Sequence, residues 1–268
     1  MELTDKEDNN CLIKIENLSF EYHKGEPVLQ DINLEINENT INVFLGLNGC
    51  GKTTLIKLIA GLQRQTNGTI LLNNKPIKEY SDTARSKYIA YVPQNTNNNM
   101  AFTVEEFLLL SFTNQRNLLW QPTTDDLNKV KHFIKNLDID EDKLQKKMCE
   151  LSGGERQIVI IAGALLQDAK IIILDEPTAS LDMKNQYAVL HFLKKCQKEN
   201  DKTIIFTCHD PNHALRLGGD TIAIHNGKIL FKGQSRDIIK AKNLKKIYGE
   251  SVIDSKYSQY NIITLEDF

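Results

Sequence analysis

Gly46-Leu47-Asn48-Gly49-Cys50-Gly51-Lys52-Thr53-Thr54 fits the phosphate-binding spacing G-x-x-x-x-G-K-[ST], and the chain is read outward from it. Upstream, Ile41-Asn42-Val43-Phe44-Leu45 is apolar and β-branched enough for a buried strand. Downstream, Leu55-Ile56-Lys57-Leu58-Ile59-Ala60 reads as a helix that Gly61 ends. Strand, glycine loop and helix are the context such a loop needs. Its glycines let backbone N–H groups turn inward around phosphate oxygens, and the helix N-terminus adds about half a positive charge. In this reading Lys52 reaches the β- and γ-phosphates of a nucleotide and the Thr53 hydroxyl ligates Mg²⁺. The competing reading, a glycine-rich turn with a surface lysine, needs four constrained positions to coincide, about one chance in a hundred for a chain of this size.

The chain has 268 residues, enough for one large α/β domain with an inserted subdomain and a substantial core. Its net charge of −2 gives no global attraction to nucleic acid. The local runs Lys194-Lys195 and Lys245-Lys246 read as solvated helix faces. Cysteines at 11, 50, 149, 196 and 208 make no C-x-x-C pair, which points to a reducing, cytosolic compartment, and Cys50 reads as a small filler of the phosphate loop. The polar, acidic start from Met1 to Asp8 is no signal peptide. The longest apolar run, Ile158 to Leu166, falls short of the roughly twenty residues that span a membrane. A membrane role is therefore expected only through a partner chain.

Short apolar stretches from Cys11 to Ile36 predict a β-rich beginning, in which Phe20 and Tyr22 share a strand face. Gly68 to Pro76 reads as a hairpin, and Tyr88-Ile89-Ala90-Tyr91-Val92 as a strand that Pro93 stops, just before Gln94. The asparagine-rich residues Asn95 to Met100 read as a surface loop. From Thr103 to about Glu150 the apolar spacing turns helical, marking an insert that includes Leu137. Leu151-Ser152-Gly153-Gly154-Glu155 then opens another helix, with Ser152 as its N-cap. Ile171-Ile172-Ile173-Leu174 suits a strand buried on both faces and delivers Asp175-Glu176 at its carboxyl end, followed by Pro177-Thr178-Ala179-Ser180-Leu181-Asp182. Thr203 to Cys208 is a second such strand and ends at His209. Thr221 to Phe231, with Asn226-Gly227 at the turn, predicts a hairpin; from Ser235 the pattern gives a helix and a tail.

These motifs, in this order, closely resemble the ATP-binding subunit of ABC transporters, from about Cys11 over nearly the whole remaining chain. Leu151 to Glu155 resembles the signature that separates this family from other phosphate-loop proteins. The strand ending in Asp175-Glu176 resembles the Walker B motif and Ser180-Leu181-Asp182 the D-loop. Gln94, His209 and Tyr22 match the Q-loop glutamine, the switch histidine and the A-loop aromatic. The fold implied is an α/β phosphate-loop ATPase with a mostly parallel core sheet, an antiparallel N-terminal β part and an inserted helical subdomain. Its divisions are a polar extension (1–10), the core (11–94 and 155–234), the helical subdomain (95–154) and a C-terminal tail (235–268).

The resemblance also assigns roles. ATP lies on Gly46, Leu47, Asn48, Gly49, Cys50, Gly51, Lys52, Thr53 and Thr54, with its base on Tyr22. Mg²⁺ is held by Thr53, Gln94 and Asp175. Glu176 is the general base or water-orienting carboxylate, and His209 senses the γ-phosphate beside it. Ser152, Gly153, Gly154, Glu155 and Asp182 are implied to meet the ATP of a second, identical or similar chain paired head to tail. The implied partners are that chain, an integral membrane permease and, indirectly, an extracytoplasmic substrate-binding protein; no nucleic acid is implied. The implied place is peripheral, on the cytoplasmic face of the cell membrane.

The chain departs from the family pattern at Gly163, where an arginine usually stands. The segment from Gln94 to Val104 and His209-Asp210-Pro211-Asn212-His213-Ala214-Leu215 are most similar to importers of iron-siderophore, haem or cobalamin type. His213 is expected on an exposed helix surface rather than as an iron ligand. The alternative class is a soluble ABC ATPase acting as a switch or scaffold, such as in iron-sulfur cluster assembly.

Overall fold

The computed structural model describes residues 11–94, 101–112, 121–136, 139–249, 252–257 and 260–265. The first ten residues, the asparagine-rich stretch 95–100 and Leu137 fall outside them. The chain runs through β1 (Cys11–Glu21), β2 (Pro27–Asn37), β3 (Ile41–Leu45), α1 (Lys52–Ile59), β4 (Asn67–Leu72), β5 (Lys75–Pro76), α2 (Asp82–Ser86) and β6 (Ile89–Val92). Next come the helices α3 (Val104–Leu110) and α4 (Thr124–Asn136). After them follow α5 (Gly153–Leu166), β7 (Ile171–Leu174), α6 (Met183–Asn200), β8 (Thr203–Cys208), α7 (Pro211–Leu217), β9 (Asp220–His225) and β10 (Lys228–Gln234). The last elements are α8 (Ser235–Ile238), α9 (Ala241–Tyr248), β11 (Val252–Tyr257) and β12 (Tyr260–Leu265).

Two sheets carry the fold. An antiparallel sheet has the order β2-β1-β4-β5, and a larger one the order β10-β9-β3-β8-β7-β6. In the larger sheet β9, β3, β8, β7 and β6 are parallel, and only β10 pairs antiparallel, with β9. The β-branched runs explain the centre: every residue of β3, β7 and β8 is buried, as strands covered on both faces require. Alternation sends Ile41, Val43 and Leu45 of β3 into one core and Phe44 into the other. The Phe44 core includes Leu55, Ile56 and Ile59 of α1 and the inner face of the antiparallel sheet. The opposite core is filled from α3, α4, α5, α6, α7 and α9, for example by Leu108, Val130, Ile161, Leu193 and Ala214.

Where the sequence gives a helix and a tail, the chain forms two short helices and a strand pair. Leu244 and Ile247 of α9 are buried in the core that holds Leu217 of α7. β11 and β12 then pair antiparallel, from Val252 opposite Leu265 to Tyr257 opposite Tyr260.

Candidate functional site

Because β3, β8 and β7 are parallel neighbours, their carboxyl ends bring the phosphate loop, His209 and Asp175-Glu176 to one edge of the sheet. Within the loop Gly49 and Gly51 take φ values of 79° and 106°, a region side chains avoid. Gly46 is needed for another reason: a Cβ there would collide with the Ile224 carbonyl oxygen. Gly51 is the N-cap of α1 and supplies no side-chain cap, so the first N–H groups of the helix stay available to an anion.

Lys52 is only 4% exposed, and its ammonium donates to the carbonyls of Gly46 at 2.8 Å and Leu47 at 3.1 Å. It also lies 3.3 Å from Oε1 of Glu176. The other oxygen of that carboxylate, Oε2, is 3.4 Å from the Gln94 amide and 3.6 Å from Nδ1 of His209. One carboxylate thus has a lysine on one oxygen and a glutamine and a histidine on the other. Glu176 has a left-handed φ of 44°, a strain that persists where the surroundings over-determine it. Its N–H donates to Oγ1 of Thr207 at 2.8 Å, and that hydroxyl donates to Oδ1 of Asp175 at 2.9 Å.

Asp175 is buried, and the hydroxyls of Thr53 (3.0 Å), Thr207 and Tyr91 (3.4 Å) all point to its carboxylate. These partners are neutral, and a buried carboxylate in a set of hard oxygen donors suits a small divalent cation. Asp175, Thr53 and Gln94 would hold it. Thr207 and Tyr91 were not singled out in the sequence; the available signal was a hydroxyl at or near the carboxyl end of an otherwise apolar strand.

Tyr22 projects past β1, 53% exposed, with its ring edge-to-face on buried Phe20 at 4.7 Å and its hydroxyl 3.2 Å from Oγ1 of Thr54. That gives a free aromatic face beside the loop, suited to a purine. Cys50 is buried, and burial raises its thiol pKa, as befits a filler and not a nucleophile.

The signature is built separately. Ser152 caps α5 in a reciprocal box with Glu155: Oγ of Ser152 accepts from the Glu155 N–H, and Oε2 of Glu155 accepts from the N–H and the hydroxyl of Ser152. Lys143 holds the other carboxylate oxygen of Glu155 at 2.8 Å and, with Ser152, pulls its pKa down to about 2. Ser152 and Gly153 are exposed. Gly154 is not: a Cβ there would run into the side chain of Asn185. Asp182 caps α6 and accepts from both the N–H and the amide of Asn185, so the D-loop end rests on the first turn of the signature helix. None of the described contacts that join Lys52, Glu176, Gln94 and His209 includes Ser152, Glu155 or Asp182.

The structure corrects the placement of His213. It is 6% exposed, because α7 turns that face onto α6. Its Nδ1 lies 3.4 Å from Oγ1 of Thr178, and its Nε2 lies 3.3 Å from Oε1 of Gln186 and 3.6 Å from Asp210. Burial lowers its pKa, with Asp210 opposing. At Gly163, inside α5, a Cβ would sit 3.1 Å from the Phe107 ring of α3 and 3.2 Å from the hydroxyl of Ser111, its C-cap, so a side chain there would have to displace them.

The ABC transporter family model matches residues 29–179. An uncharacterised ABC transporter ATP-binding protein of Haemophilus influenzae is 35% identical over 240 residues, covering 90% of each chain. YusV of Bacillus subtilis, named for a siderophore transport system, is 33% identical, covering 88% of this chain and 85% of its own. The molybdate import ATP-binding protein MolC of H. influenzae is 30% identical, covering 89% and 88%. Among solved structures, an inward-facing transporter described as of metal-chelate type aligns with a TM-score of 0.80 at 28% identity, over 95% of this chain and 96% of that one. A dimeric bacterial ABC transporter cassette aligns at 0.73 and 28%, over 84% and 99%.

Proposed function

This chain belongs to the ATP-hydrolysing ABC transporter family, and on that premise we propose that it powers a separate permease by closing and opening as a head-to-tail pair around ATP and Mg²⁺. The observation that carries this is the Glu176 carboxylate, held between Lys52 on one side and Gln94 and His209 on the other. Among the described residues no helix is long and apolar enough to cross a membrane.

Magnesium, when bound, offsets charge on the phosphate oxygens. The chain does the rest. Lys52 exchanges the carbonyls of Gly46 and Leu47 for oxygens of the β- and γ-phosphates, and the amides at the start of α1 receive the phosphate tail. Lys52 then no longer holds Glu176, whose freed oxygen orients a water against the γ-phosphorus and accepts its proton. The water oxygen bonds to phosphorus as the bond to the β–γ bridging oxygen breaks, leaving ADP and phosphate. Gln94 positions that water or the cation, and His209 donates to the γ-phosphate. Ser152, Gly153 and Gly154 of the paired chain cap the same triphosphate, so loss of the γ-phosphate weakens the pair.

Glu176→Gln is expected to bind ATP and stay dimeric in gel filtration while its turnover falls about 10²- to 10³-fold. Wild-type turnover from that variant removes Glu176 from the chemistry.

For cargo, we propose a metal chelate of the iron-siderophore class. The relatives named for siderophore and metal-chelate transport support it, whereas relatives named for molybdate and spermidine/putrescine import are of similar sequence and named for other cargoes. Pull-down from detergent-solubilised membranes should recover a permease whose reconstituted complex hydrolyses ATP faster with a chelate-loaded binding protein. Stimulation by molybdate instead overturns the cargo. Recovery of soluble partners alone favours the scaffold reading.

A further inference from the structure

We infer that Tyr248 is a positioning residue for His209, so that the C-terminal helix α9 controls the hydrolytic step; the inference rests on the role proposed above for His209. The two carbonyls that follow one another at the end of β8 have different partners. That of Cys208 accepts from the N–H of Gly46 in the phosphate loop at 3.4 Å, and that of His209 accepts from the Tyr248 hydroxyl at 2.7 Å. The His209 side chain is 53% exposed, so packing does not fix the imidazole. Its aim toward Glu176 is set by its own backbone, which Tyr248 holds at the His209 carbonyl while the next residue, Asp210, caps α7.

The donor is itself well placed. Tyr248 is the last residue of α9, ended by Gly249 at φ 90° with its N–H on the Lys245 carbonyl at 3.0 Å. Leu244 and Ile247 anchor the helix, 0% and 2% exposed, so its docking does not need the hydroxyl. Burial raises the pKa of that hydroxyl, which stays protonated and donating at any working pH. α9 lies outside the segment 29–179 that the family model matches, so the contact brings a C-terminal element to bear on the shared phosphate machinery.

The test is Tyr248→Phe in the full chain. Turnover is expected to drop about three- to ten-fold with KM for ATP unchanged, while the lost hydrogen bond lowers the melting temperature by only about 2–4 °C. In a His209→Ala background the same substitution should cost nothing further, because the group it positions is gone. Amide exchange at residues 209–213 should quicken. Unchanged turnover, an equal additional loss in the His209→Ala background, or a KM that rises as kcat falls each overturn the inference. Full turnover from His209→Ala strikes the proposed role of His209, whereas unchanged exchange at 209–213 strikes the contact itself.

Discussion

Thr207 has a single hydroxyl that faces two ways, accepting from the Glu176 N–H and donating to Asp175. Valine has its shape without that oxygen. Thr207→Val leaves a buried N–H and a buried carboxylate each short of a partner, which costs about 1–3 kcal/mol of stability. ATPase turnover should fall more than tenfold, and a variant with wild-type turnover and an unchanged urea midpoint would show that Asp175 and Glu176 hold themselves. Titration gives two more expectations at this scale. Lys143 and Ser152 depress the Glu155 carboxyl from 4.5 to about 2, so the stability it contributes is present above pH 4.5 and is lost as the pH falls toward 2. Lys143→Met should flatten the acid arm of the melting curve in that window; an unchanged slope refutes the linkage. For His213 burial depresses a base, so the unfolded chain binds the extra proton and stability drops as the pH falls below 6.5. His213→Gln should narrow the gap between melting temperatures at about pH 7.5 and 5.5. Motif spacing reveals Lys52, Asp175 and Glu176, and the family resemblance adds His209. It does not reveal Thr207, which lies 31 positions from Glu176 and meets it only because β7 and β8 pair, nor the burial of His213, which depends on how α7 lies on α6.

The start of α5 shows how an element can be set by a neighbour as well as by its own sequence. Ser152 announces the cap, and the structure has it, with Glu155 closing a reciprocal box. The crowding of Gly154 against Asn185 is a tertiary fact that no local pattern contains. Gly154→Ala is therefore expected to shift the D-loop end, lowering both turnover and melting temperature despite the better helix propensity of alanine, about 1 kcal/mol. Adding Asn185→Gly should recover much of the lost turnover, and failure of that rescue assigns the defect to Gly154 itself. The central strands were the most readable elements, because β-branched runs such as Ile171 to Leu174 leave few alternatives, whereas β11 and β12 were not read. At Gly163 the resemblance marks an arginine as missing but not what lies against the glycine, which is Phe107 of α3 and its C-cap Ser111.

At the scale of the whole molecule the sheet order β10-β9-β3-β8-β7-β6 was not legible from the chain itself, since periodicity marks strands and not their neighbours. The resemblance supplied the general architecture; the helices and strand pair after Gln234 lay beyond what its motifs describe. The proposed head-to-tail pair makes a prediction that no single chain can test. Lys52→Ala and Ser152→Arg should each be inactive alone, yet mixing them should restore a share of ATPase, because one of the two composite sites in the mixed pair keeps both Lys52 and Ser152. No recovery on mixing would mean that each chain works by itself. The ring of oxygens around the Lys52 ammonium has a consequence for selectivity. A cation already shared among two carbonyls and a carboxylate offers little to a lone inorganic ion, which could replace at most part of that company. A polyphosphate tail can replace all of it at once, so ATP is expected to hold the loop far more tightly than orthophosphate does, which competition of orthophosphate against ATP binding measures.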